Sequence, residues 1–104
     1  MYMPITSTLS DDKKSLTITI QGRFDFSSLQ AFRTNYEKVA PKPQNFTVDL
    51  KETDYIDSSA LGMLLALRDY AGDDKNSEIK IINANPDVRQ ILLITKLDEM
   101  FKVA

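Results

Sequence analysis

The sequence predicts an α/β fold: a mixed β-sheet of four to five strands, flanked by about four helices and opened by a β-hairpin. Three observations carry this reading. Leu16-Thr17-Ile18-Thr19-Ile20 alternates apolar and polar residues with the two-residue period of a half-buried strand. Downstream of it, short strand-like runs take turns with apolar residues at helical spacing, the order of a sheet whose parallel strands are joined by crossover helices. The chain has 104 residues and shows no internal repeat or low-complexity stretch, so one domain over 1–104 is expected.

Taken in order, Pro4–Leu9 reads as an edge strand and Ser10–Lys14 as a polar turn. The alternating run follows, with Leu16, Ile18 and Ile20 on one face, and Gly22 is read as its end. Arg23-Phe24-Asp25 is expected to be a loop. A helix then starts with Ser27 or Ser28 as its N-cap and carries Leu29, Phe32, Tyr36 and Val39 inward, until Pro41 and Pro43 stop it. Phe46–Leu50 is a short strand and Lys51–Ile56 a loop. Asp57-Ser58-Ser59 opens a second helix running from Ala60 to about Ala71 and closed by Gly72, with Leu61, Leu64, Leu65 and Leu67 or Arg68 expected inside. Asp73–Ser77 reads as a solvated turn and Ile79–Ile82 as a strand. Asn85-Pro86-Asp87 is a strong helix start: Asn caps, Pro fits the first helical position and Asp complements the helix dipole. That helix presents Val88, Ile91, Leu92 and Thr95, and Leu97–Ala104 is a short terminal helix or strand.

Composition excludes several function classes. There is no cysteine and no histidine, which removes disulfides, thiolate or imidazole metal sites and any histidine general base. The net charge is −2 and the basic residues are scattered, so neither nucleic acid nor an anionic membrane is an expected partner. The first residues, MYMPITSTLSDDKK, lack the pattern of a signal peptide, and the apolar stretches are too short for a bilayer, so no membrane insertion and a cytoplasmic location are expected. Phe32, Tyr36, Phe46 and Leu92 read as core. Asp11-Asp12 and Asp73-Asp74 read as solvated turns, and Gly22 and Gly62 as serving backbone geometry or close packing. Met63, Leu93, Ile94 and Met100 are candidates for an apolar partner patch, with core packing the favoured reading.

The segment richest in chemistry is Asp54–Leu65, where hydroxyls and carboxylates meet at a helix N-terminus after a strand. The plain reading is capping, since Asp and Ser satisfy the unpaired N–H groups of a first turn. A serine nucleophile is disfavoured: there is no histidine, no G-x-S-x-G and no S-x-x-K at these serines. A phosphate-cradling loop lacks its glycines and its G-K-[ST]. No cofactor is expected, and no enzymatic activity.

Asp57-Ser58-Ser59-Ala60-Leu61-Gly62 resembles the D-S-S-G-L-G phosphorylation segment of anti-sigma factor antagonists, the STAS-domain family, with Ala60 in place of the first glycine. Gly22-Arg23-Phe24-Asp25 is similar to that family's G-x-[LF]-D after its second strand, and the order of elements and the Asn-Pro helix start agree over nearly the whole chain. The resemblance implies a bacterial transcription regulator with a STAS fold and a phosphorylation switch at Ser58, with Ser59 as the neighbouring hydroxyl. It implies two partners, an anti-sigma factor with serine kinase activity and a metal-dependent serine phosphatase. Asp25, Asp57, Ser58, Ser59 and Gly62 are the implied partner-binding residues. Ala60 is expected to firm the first helical turn and to narrow the space beside the hydroxyl. An alternative on the same fold is a cytoplasmic STAS scaffold subunit of a lipid or anion transport complex.

Overall fold

The computed structural model describes residues 4–72 and 78–104. Five strands form one sheet: β1 (Ile5–Leu9), β2 (Ser15–Phe24), β3 (Asn45–Ile56), β4 (Glu78–Ile82) and β5 (Lys102–Val103). Their spatial order is their chain order. β1 and β2 make the antiparallel hairpin, and the remaining pairs are parallel. Three α-helices fill the crossovers: α1 (Leu29–Glu37), α2 (Ser58–Ala71) and α3 (Pro86–Ile94). The expected short terminal helix or strand at Leu97–Ala104 is a 3-10 turn at Leu97–Glu99 followed by β5, and a further 3-10 turn at Phe26–Ser28 precedes α1. The expected turn at Asp73–Ser77 lies outside the described residues. Every crossover steps in the same direction, so right-handed connections put the three helices on one face of the sheet. The alternation agrees: Leu16, Ile18 and Ile20 of β2 and Phe46, Val48 and Leu50 of β3 are buried, whereas Thr17, Thr19, Thr47 and Asp49 are half-buried on the opposite, polar face.

Two expectations about strand length are corrected. Gly22 does not end β2, and Lys51–Ile56 is not a loop: both strands run on as partners to Phe24 and Ile56. The pairing passes Thr19↔Asp49, then Gln21↔Glu52, Gly22↔Thr53 and Arg23↔Tyr55, so β3 gains a residue on β2 at each of two slips. These bulges break the two-residue period, which is why the alternation fades after Leu50. Gly22 has φ 78°, a left-handed conformation that glycine adopts without a Cβ clash. Thr53, buried within the irregular stretch, donates its hydroxyl to the Ile20 carbonyl at 2.7 Å.

The buried face of α2 is Ala60, Met63, Leu64, Leu67 and Ala71. Of the residues expected inside, Leu64 and Leu67 are fully buried, whereas Leu61 is only half-buried, Leu65 is 38% exposed and Arg68 is exposed. Small Ala60 and Ala71 are buried with them, positions that a search for leucines overlooks. Met63 is core, as favoured, whereas Leu93, Ile94 and Met100, also favoured as core, are exposed. Thr95 also leaves the core face of α3: it is an exposed C-cap residue whose hydroxyl donates to the Ile91 carbonyl at 2.7 Å. Aromatic contacts from Phe24 to Phe32, Phe32 to Tyr36, Tyr36 to Tyr70 and Phe46 to Tyr70 tie α1 and α2 to the central strands. Among the described residues no helix is long and apolar enough to cross a membrane.

Candidate functional site

The candidate site is built by register. Phe24 and Ile56 are paired neighbours at the ends of β2 and β3, and both are buried. The next residue on each strand is an aspartate, so two residues far apart in sequence, Asp25 and Asp57, leave the sheet side by side. Each starts a helical segment with extended backbone and a side chain folded over the first turn.

Asp25 is heavily engaged. Its carboxylate accepts from the Ser27 N–H at 3.0 Å, the Ser27 hydroxyl at 2.6 Å and the Arg23 Nε at 3.3 Å. Ser28 completes a capping box: its hydroxyl accepts from the Asp25 N–H at 3.2 Å and lies 3.2 Å from the Arg23 carbonyl. The cap is thus Asp25, not Ser27 or Ser28, and Arg23-Phe24 is strand rather than loop. The Ser27 hydroxyl, followed by the Arg23 guanidinium, holds the Asp25 carboxyl below the usual carboxylate range. Arg23 also lies over the Tyr55 ring, 4.0 Å from its centre.

Asp57 caps α2 by accepting from the Ala60 N–H at 3.1 Å. Ser58 is the first residue of α2, exposed, with no hydrogen bond to its hydroxyl among the described residues. Capping and a free hydroxyl are therefore divided between adjacent residues. Ser59 is half-buried. Ala60 is fully buried in the core. Gly62 is exposed, and a Cβ added there would meet nothing within 4 Å, so neither close packing nor a positive φ explains it.

Beside Ser59 and Gly62 lies an apolar cleft of ≈ 280 Å³ between the Phe26–Ser28 turn and α2, lined by Phe26, Leu29, Ser59, Gly62, Met63 and Ala66. Phe26 is 73% exposed at its edge. Sequence reasoning missed Arg23, Tyr55 and Phe26 here. Arg23 stands two residues before Asp25, a spacing that suits an ion pair, but nothing in the chain signals that Phe26 faces outward.

Residues 7–103 match the family model described as Mlab, STAS domain. The chain belongs to the STAS family. A STAS-domain containing protein of Pseudomonas aeruginosa (strain UCBPP-PA14) is 51% identical over 102 residues, covering 98% of this chain and 100% of its own length. Among solved structures, an anti-sigma factor antagonist from Mycobacterium paratuberculosis is similar at TM-score 0.76 and 23% identity, over 99% of this chain and 89% of its own. The STAS domain of a SulP transporter from Vibrio cholerae is similar at TM-score 0.66 and 19% identity, over 89% and 70% of the two chains. The STAS fold with its opening hairpin is thereby shared with both kinds of protein. In this STAS domain, Asp25, Asp57, Ser58, Ser59 and Gly62 gather at the ends of β2 and β3 and along the first turns of α2.

Proposed function

We propose that this STAS domain is an anti-sigma factor antagonist that switches partners through phosphorylation of Ser58. The observation that carries the reading is the exposed Ser58 hydroxyl at the first position of α2, without a hydrogen bond among the described residues and beside a cap supplied by another residue. In the unmodified state the domain binds and sequesters an anti-sigma factor that is also a serine kinase. That kinase transfers the γ-phosphoryl group of ATP to the Ser58 oxygen, releasing ADP and the hydroxyl proton. A metal-dependent serine phosphatase hydrolyses the ester and resets the domain. The chain itself supplies no catalysis and acts in the cytoplasm. The antagonist from Mycobacterium paratuberculosis, on the same fold, supports this reading.

The electrostatics follow from the cap. A phosphate adds about −1.5 to −2 charge at Ser58. The helix N-terminus favours that charge, so the domain stays folded. Asp57, adjacent in sequence, and Asp25, at the neighbouring strand end, disfavour it only locally, and Arg23 already offsets Asp25. A partner surface fitted to a neutral hydroxyl loses both fit and charge balance. A penalty of about 3 kcal/mol lowers affinity roughly a hundredfold, at ~1.4 kcal/mol per tenfold step. Asp25, Asp57, Ser59 and Gly62 belong to the same contact surface.

The test combines phosphopeptide mapping with affinities. After incubation with the cognate kinase and ATP, phosphate is expected on Ser58. Ser58→Ala keeps wild-type affinity for the anti-sigma factor and is no longer released, whereas Ser58→Asp binds weakly. Equal affinity for wild type, both variants and the phosphorylated protein refutes the switch. A second reading, a scaffold subunit of a lipid or anion transport complex, is favoured by the fold shared with a SulP transporter domain. It predicts stable assembly with a transporter, unaffected by either Ser58 substitution.

A further inference from the structure

Gly62 and Phe26 are the two residues of the site whose placement the domain's own packing does not explain. Gly62 is in mid-helix, exposed, at an ordinary helical φ, with open space where a Cβ would stand. Glycine is the poorest helix former after proline, and this position costs the domain stability without any internal return. Phe26 exposes 73% of its surface next to a capping box that needs no aromatic residue. Both border one concavity, the ≈ 280 Å³ cleft whose floor is the buried Met63 and whose walls are Leu29, Ser59 and Ala66. Ser59, Gly62 and Ala66 follow at helical spacing, so the α2 wall of the cleft is low and another backbone can approach it closely.

We propose that this cleft receives an amphipathic helix of the anti-sigma partner, with an apolar side chain seated beside Phe26 and over Gly62. The inference rests on the partner-switching reading and names where that partner is anchored. Charge fixes the orientation. Asp57, the cap of α2, stands at the Ser59 end of the groove, and Asp25 at the end of β2 is already ion-paired with Arg23. The end of the helix that lies nearest Ser58 therefore carries Lys or Arg, opposite Asp57. An apolar anchor in a pocket with a charged rim is the usual division between affinity and steering in an interface. Phosphorylation then acts on the charged end and leaves the anchor intact.

The probe is the purified anti-sigma factor, titrated calorimetrically against the full chain. Gly62→Leu places a side chain in the groove, and its melting midpoint is expected at or above that of wild type. Phe26→Ala removes the exposed wall and is expected to leave melting unchanged. Each lowers affinity at least tenfold, while Ile94→Ala, exposed on α3, leaves it unchanged. Rising salt weakens wild-type binding, and Asp57→Asn, which keeps a capping side chain, reduces that dependence. Wild-type affinity in both groove variants, with Ser58→Asp still weakened, overturns the cleft assignment and leaves the switch standing. Loss of binding in the groove variants with no effect of Ser58→Asp overturns the switch and keeps the cleft. A self-associated dimer that Gly62→Leu disrupts assigns the cleft to a second copy of this chain and overturns the proposal. No binding by any anti-sigma factor of the source cell overturns both.

Discussion

Substituting two adjacent residues separates capping from switching at the start of α2. In Asp57→Ala the Ala60 N–H loses its 3.1 Å acceptor at a half-buried position. Replacing an N-cap aspartate by alanine costs about 1 kcal/mol, within a range of roughly 0.5–2. In Ser58→Ala an exposed hydroxyl without a partner among the described residues is removed from a helical position. Alanine is a better helix former than serine, and exposed substitutions of this kind stay within about 0.5 kcal/mol. For a domain of this size, about 1 kcal/mol corresponds to roughly 4–5 °C in melting midpoint. Urea titration followed by far-UV circular dichroism is a suitable assay, because the chain lacks tryptophan. The expected order of stability is Ser58→Ala equal to wild type, and Asp57→Ala clearly below both. A loss of about 1 kcal/mol or more in Ser58→Ala, with Asp57→Ala unchanged, would move the cap to the serine. The free hydroxyl on which the switch rests would then be gone.

Three further outcomes follow from the packing. Leu64→Ala, fully buried, is expected to cost about 2–5 kcal/mol, while Leu65→Ala, 38% exposed, costs less than about 1; similar denaturant midpoints for the two would show that the helix face is wrong. Thr53→Val keeps the shape but leaves the Ile20 carbonyl without its 2.7 Å donor, a loss of about 1–3 kcal/mol in the same titration, and no loss would remove the hydroxyl from the account of the bulge. The Asp25 carboxyl is held below its ordinary value by Ser27 and Arg23, so its contribution to stability is present above the ordinary carboxylate range and is lost as pH falls through the lowered value. Asp25→Asn is therefore expected to flatten the acid limb of the stability profile, and an unchanged limb would refute that linkage.

Much of the fold was legible because its elements follow strict periods. The hairpin, the helix beginning at Asn85 and the strand at Ile79 all obey local rules, and the structure keeps them. What failed was non-local. The continuation of β3 through Lys51–Ile56 depends on slips relative to β2, which no window of one strand records. The orientation of α2 shows in the burial of Ala60 and Ala71, small residues that hydrophobicity alone does not single out as core. At the candidate site the Asp-Ser-Ser segment was legible as a motif, yet the assignment of cap and free hydroxyl needed the backbone. Gly62 was read as serving the chain's own packing, and only the empty space around it shows otherwise.

The register that joins Phe24 to Ile56 also makes the surface around Ser58 a conformational epitope. A linear peptide spanning Asp54–Leu65 contains the serine and its flanking residues but not Asp25, Arg23 or Phe26, which arrive from a strand more than thirty positions earlier only once β2 and β3 have paired. That pairing is non-local, so the contact surface appears with the completed sheet and disappears when these strands separate. A reader that touches both strand ends is consequently blind to nascent, cleaved or misfolded copies. It counts only finished molecules, and the concentration to which it responds is that of folded protein rather than of total chain.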